Sequence, residues 1–238
     1  MTSRQILIFD IWGDYAHFKK IYATTSAVSY AIPPKTSLYG YLGAVLGLSK
    51  IDSAYLKTFA NKQCLLGISV RNPIVMKRLG VNLRSTLKRV DDSAKPSLVE
   101  YVYKPRYRLF VWHQDETVRQ ELKKAIESHT CVYTPSLGLA GLPSNFEWIG
   151  EVTVKAHRSA DLVAIHSVIP RKYLLGLEET ALLEGSNELI EQSLFAIEMN
   201  TDREVTERDD ILLDRKGRPI RAQVTEYYPV KEANVILF

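Results

Sequence analysis

Residues 30–47 read YAIPPKTSLYGYLGAVLG, and the order of residue types sets where one helix enters and which way it faces. Pro33 and Pro34 hold the chain extended and bar helix before them. Thr36 or Ser37 then offers a side-chain oxygen to the first free helical N–H groups. The spacing predicts a helix from Ser37 to Leu48. Within it Gly40, Gly43 and Gly47 fall three and four residues apart and share one face. Each glycine in a helix costs about 1 kcal/mol against alanine. A sheet or another chain is therefore expected to approach that face, and tight packing of helix on sheet is the plainest reading.

Working outward, ILIFDIWG (Ile6 to Gly13) and AHFKKIY (Ala16 to Tyr22) precede the helix. Periodicity gives strands at Gln5 to Trp12, Cys64 to Met76, Arg106 to His113 and Glu147 to His157, with a second helix from Asp115 to His129. Strand, helix, strand, strand, helix, strand is the order of an α+β, ferredoxin-like (RRM-like) βαββαβ domain. Twenty-nine residues separate Met76 from Arg106, where a plain hairpin needs about two to five. Spaced apolar residues from Leu79 to Val102 suit strands, so residues 77–104 read as an inserted basic β-hairpin arm with its tip near Asp91 to Pro96. The body is expected to span residues 1–157. Residues 158–238 form a small C-terminal α+β unit, acidic and partly helical up to Glu198, with a turn at DRKGRPI (Asp214 to Ile220).

Charge is unevenly placed. The net +4 divides into seventeen Lys and Arg against six Asp and Glu over residues 1–110, and fourteen against twenty-one over 111–238. A basic half facing an acidic half points to a polyanion partner with a defined binding face. A solvated basic face without a partner is the competing explanation. No apolar run approaches the roughly 18 residues of a membrane span, and the N-terminus lacks a secretory layout. Cys64 and Cys131 stand alone, without metal spacing, which suits buried thiols in a reducing cytoplasm. No Walker A, GxGxxG, GxSxG or HExxH string occurs, so neither a cofactor nor a metal is expected.

The ordered set of strand, small-Phe-basic segment, Ser-Tyr, Pro-Pro and Gly-Tyr-Leu-Gly helix resembles the opening of the Cas-five family. That family supplies the CRISPR subunit that caps the five-prime end of the guide RNA in type I Cascade complexes. SLGLAGLPSNF (Ser136 to Phe146) is similar to the family's Leu-Gly loop, and EYYPVKEANVILF to its closing strand. The resemblance implies a non-catalytic RNA-binding subunit, I-B-like, that holds the five-prime handle of the crRNA. It also implies the Cascade backbone and large subunits as partners, in antiviral defence. Target DNA near the PAM is a further candidate partner, met by the basic arm of a structural adaptor.

Three groups of residues carry the expected RNA contacts. Phe18, Lys19, Lys20, Tyr22, Tyr30, Lys35, Ser37 and Tyr39 interleave aromatic rings with cations, which suits unstacked bases and phosphates. Core aromatics with solvated lysines would look alike. Lys77, Arg78, Arg84, Lys88, Arg106 and Arg108 supply the arm and its base. Leu137, Gly138, Leu139, Gly141 and Asn145 form a loop whose glycines free backbone N–H groups to face an anion; a structural turn explains the same string.

The I-C branch of the family cleaves precursor guide RNA without a metal, using a Tyr, a Lys and a His. A metal-independent endoribonuclease is thus the alternative function. No Lys-His pair of that kind occurs here, and His113 is the best candidate base.

Overall fold

The hydrophobic run at the start forms β1 (Arg4–Trp12), followed by the short β2 (Tyr15–Ala16), β3 (Phe18–Lys19) and β4 (Ser29–Tyr30). Next come α1 (Lys35–Leu46), α2 (Ala54–Phe59), β5 (Cys64–Val70), β6 (Val75–Leu83), β7 (Lys95–Tyr103) and β8 (Arg106–His113). They are followed by α3 (Glu116–Glu127) and β9 (Asn145–Val154). The computed structural model describes residues 3–22, 27–83, 95–159, 161–178 and 187–238. Its later strands are β10 (Val163–Ile165), β11 (Ile169–Pro170), β12 (Leu174–Leu177), β13 (Leu189–Met199) and β14 (Val205–Asp214). β15 (Ile220–Val224), β16 (Tyr228–Val230) and β17 (Ala233–Val235) complete the order. The protein is α+β, with few helices and many antiparallel pairings.

The central sheet runs β5-β8-β1-β9, every pair antiparallel. Alternation along β1 sends Leu7, Phe9 and Ile11 to one face, where Leu38 and Leu42 of α1 and Leu122 and Ile126 of α3 meet them. Ile6 and Ile8 point the other way, join Phe110, and are covered by Tyr228, Val230, Val235 and Leu237. Burial on both faces is why β1 reads as a nearly continuous apolar run rather than an alternating one.

β6 and β7 pair in register from Val75↔Tyr103 to Leu83↔Lys95, forming the arm, and β2 adds to its base through Tyr15↔Tyr103. The apolar run expected as one strand over Cys64 to Met76 is two: β5 ends at Val70, and Ile74 N–H then bonds Arg215 O at 2.8 Å. Asn72 and Pro73 make that break.

Several details depart from the sequence reading. α1 begins at Lys35, its N-cap is Pro34, and no side chain caps it. The start is fixed by Pro34, whose carbonyl takes the Ser37 and Leu38 N–H groups. The three glycines do not share a partner surface. A Cβ on Gly43 would meet Tyr55 Cβ of α2 at 2.6 Å, so one helix, not a sheet, approaches there. Gly40 has nothing within 4 Å, and Gly47 lies past the helix as a left-handed C-cap with φ +74°.

The region expected to be α+β after residue 158 holds no α-helix among the described residues, only strands and a 3₁₀ turn. Its sheets run β12-β15-β10-β17-β16 and β11-β14-β13. The described parts of the segment read as partly helical hold β12 and β13, and residues 179–186 lie outside the described residues. Phe195 and Ile197 of β13, with Ile211 and Leu213 of β14, join the same core as β1 and α1. β13 shifts register between Gln192 and Phe195. The shift breaks simple alternation.

Candidate nucleic-acid interface

The segment Gly13–His17 lies between the base of the arm and the loop before β9. Lys104 N–H bonds Asp14 O at 2.8 Å on one side, and His17 N–H bonds Leu137 O at 3.0 Å on the other. Pairing of β2 with β7 brings three tyrosines together. Tyr15 packs edge-on to Tyr101 at 5.8 Å between ring centres and tilts against Tyr103 at 5.4 Å. The Lys77 ammonium sits 3.3 Å from the centre of the Tyr103 ring, with that of Lys104 at 5.5 Å. Close by in the chain, Arg106 lies over Trp12 at 5.0 Å. Tyr101 is itself buried, at 9% exposure, and backs the half-buried Tyr15 and Tyr103. The rings of those two, with the ammonium groups around Tyr103, offer stacking surfaces and phosphate partners side by side.

Tyr15, Tyr101 and Tyr103 escaped the sequence reading. The signal available was the alternation in YVYK (Tyr101 to Lys104), which puts both tyrosines on one strand face. Tyr15 joins them only through a pairing that no local pattern encodes.

The rim expected before the glycine helix is divided. Phe18 and Tyr30 are buried partners in the β3–β4 pair. The Tyr30 phenol donates to Ser193 O and Leu194 O at 3.1 and 3.0 Å, and burial raises its pKa. Lys35 is not a surface cation. Its ammonium bonds Glu198 Oε1 at 2.9 Å, with side-chain exposures of 2% and 8% for the two partners. The buried Tyr39 phenol donates to the same oxygen, and Asn61 N–H reaches Glu198 Oε2 at 2.9 Å. Burial, then the Glu198 carboxylate, pushes the Tyr39 phenol far up. Phe18, Tyr30, Lys35 and Tyr39 are therefore core residues, turned inward because α1 starts earlier than Ser37 and β13 packs over it. Lys19, Tyr22 and Ser37 remain exposed, and Lys20 is half-buried with its ammonium 5.8 Å from the Tyr22 ring.

On the arm, Lys77 and Arg78 are exposed, Arg78 lying 3.5 Å from Glu100. Arg84 and Lys88 lie outside the described residues, as does most of the expected tip. Arg106 and Arg108 are held by the buried Asp10, at 3.0 Å from Oδ2 and 2.7 Å from Oδ1 respectively. Arg106 also reaches Glu147 at 2.9 Å.

In the loop, Leu137 is buried and Gly138 is constrained by packing. Its φ is +96°, and a Cβ there would fall 1.8 Å from His17 O. Gly138 thus serves the close approach of two backbones rather than an anion. Leu139 (45% exposed) and Asn145 face outward, and Gly141 has open space around it.

His113 is 1% exposed. Its Nδ1 takes the Asp115 N–H at 3.0 Å, so Nε2 carries the proton and donates to Thr58 O at 2.8 Å. Neither nitrogen is free to accept a proton from a substrate in this conformation. Among the described residues no cluster of His, Cys, Asp and Glu could hold a metal, and no helix is long and apolar enough to cross a membrane.

A family model described as CRISPR-associated protein (Cas_Cas5) matches residues 6–177. No curated protein matches the chain in sequence. Among solved structures, a CRISPR protein from Archaeoglobus fulgidus is 12% identical and covers 97% of each chain, with a TM-score of 0.55. A chain from a CRISPR RNA-guided surveillance complex is 12% identical at a TM-score of 0.49, covering 93% of this chain and 90% of that one. At such identity the likeness to the first is one of fold.

Proposed function

The chain belongs to the CRISPR-associated Cas5 family, and from that premise we propose that it is a non-catalytic RNA-binding subunit of a type I Cascade surveillance complex. It acts in the cytoplasm in antiviral defence, caps the five-prime handle of the crRNA, and joins the backbone subunits to the large subunit. One observation carries the RNA-binding part of this reading: the patch of Tyr15, Tyr101 and Tyr103 with Lys77 and Lys104 at the base of the arm. Unstacked bases lie on the half-buried rings of Tyr15 and Tyr103, while Lys77, Lys104 and the exposed Lys19 meet phosphates. Leu139, Gly141 and Asn145 border the same segment.

The order β5-β8-β1-β9, crossed by α1 and α3, supports reading the body as ferredoxin-like. The arm extends from this body to clamp the RNA against a neighbouring backbone subunit. Acidic strands after residue 158 face the large subunit.

The test is binding of a labelled crRNA handle to the purified chain and to Tyr103→Ala and Lys77→Ala variants. Unchanged affinity in both would remove the patch from the interface. Incubation with precursor guide RNA in the presence of a chelator separates the rival endoribonuclease, since cleavage at a single site would establish it. Crosslinking of the arm to RNA or to target DNA in the assembled complex separates the adaptor reading.

A further inference from the structure

The face of the central sheet that looks away from the helices is only partly covered by β16 and β17. Where the cover stops, a cleft of about 480 Å³ remains, within the ~300–1,000 Å³ range of small-ligand sites. It shares no residue with the tyrosine patch. Part of its floor is apolar, where Ile8 and Phe110 are recessed at 2% and 3% exposure beside Ile149, and Ser69 and His166 add polar lining. Its lip is cationic. Arg71 and Lys231 are exposed, and no ion pair engages either among the described residues. Arg108 completes the lip, its guanidinium fixed by Asp10 through bonds of 2.7 and 3.2 Å.

Asp10 takes the Nε and Nη2 edge of Arg108, which leaves its Nη1 side, held in a fixed orientation, and the planar guanidinium of Arg71 to meet phosphate oxygens. A recessed apolar floor below such a lip suits a flat ring with a phosphate at its edge. Glu232 is the one carboxylate lining the cleft.

We propose that this cleft takes one nucleoside phosphate unit, separately from the tyrosine patch. The ring rests over Phe110 and Ile8, and the phosphate meets Arg71, Arg108 and Lys231. The unit is either a free mononucleotide or one residue of a single strand, two sources with the same chemistry.

The full chain is titrated with fluorescein-labelled ten-nucleotide oligo(dT) by anisotropy, and with AMP by calorimetry. The double variant Arg71→Ala/Lys231→Ala removes two exposed side chains, and circular dichroism checks that it stays folded. It should weaken oligo(dT) binding and reduce the salt slope by about 0.7 for each phosphate that is no longer neutralised. Glu232→Gln should tighten binding, an effect that a merely structural role would not give. Both changes should persist in a Lys77→Ala/Tyr103→Ala background, because separate sites act additively. AMP binding that depends on the same residues identifies a free nucleotide, and dependence seen with oligo(dT) alone identifies a strand. The proposal is overturned if neither probe responds to the double variant, or if the response vanishes in the patch-variant background.

Discussion

Replacing Glu198 by Gln should be among the most damaging single changes in the protein, although it alters one atom. At 2.9 Å and an effective dielectric of about 20, Lys35 and Glu198 attract by about 6 kcal/mol. Desolvating both ions offsets most of this, so the pair itself adds little net stability. Removing one charge is different, because the other stays buried without compensation, at a cost of about 3–5 kcal/mol. Glu198→Gln should sit at the upper end, since Lys35 has no other anionic partner among the described residues. Lys35→Met should sit at the lower end, because Tyr39 and Asn61 still donate to the carboxylate. For a chain of this size, roughly 2–4 °C per kcal/mol converts the range to a fall in Tm of about 6–20 °C. The double variant Lys35→Met/Glu198→Gln leaves a neutral amide that still accepts from Tyr39, and should recover much of the loss. Urea and thermal unfolding of the four proteins give the coupling energy directly. Singles costing below about 1 kcal/mol, or a double variant equal to their sum, would mean that Lys35 reaches solvent, and its assignment to the core would fail.

Gly40→Ala should raise stability by up to about 1 kcal/mol, while Gly43→Ala should lower it, since its Cβ would fall 2.6 Å from Tyr55 Cβ; equal signs in thermal melts would refute the packing account. In handle-RNA binding, Tyr103→Ala should cost about 1–3 kcal/mol, and Lys77→Ala should lower affinity alike for all handle sequences with a shallower salt slope. Acid stability should depend on Asp214. Burial alone would raise its pKa, but Asn187, the backbone N–H groups of Arg218 and Glu188, and the Arg218 guanidinium together hold it below the usual carboxylate range. A lowered folded pKa means that the unfolded chain takes up the proton first. The contribution is therefore complete above about pH 4 and is lost as pH falls through the folded value. Asp214→Asn should flatten the dependence of Tm on pH in that acid window, and an unchanged slope would show that Asp214 does not control it.

What could be read in advance was whatever local pattern fixes alone. β1, β8 and α3 fall within a residue or two of their expected bounds because apolar spacing marks them. The arm followed from chain length, since β6 and β7 had to fill a gap too long for a turn. Nothing local tells Lys35 and Tyr39 from surface residues, because their burial depends on β13, more than 150 residues away in the chain. The register shift in β13 breaks the alternation that would mark a strand. The tyrosine patch was out of reach for the same reason: Tyr15 meets Tyr103 only after hairpin pairing. Gly138 shows the converse, a loop glycine whose local string fits an anion site but whose purpose is close approach to His17.

The cover that β16 and β17 place over Ile6, Ile8 and Phe110 has a temporal consequence. During synthesis the first strand leaves the ribosome long before the residues that shield its outer face exist. A nascent chain that has not yet reached Tyr228 carries that apolar surface open to water. Non-local pairing of this kind also slows folding, because loop closure must come before the contacts that reward it. The finished sheet is therefore the product of a late event, and any loss of β16 and β17 uncovers the outer face of β1.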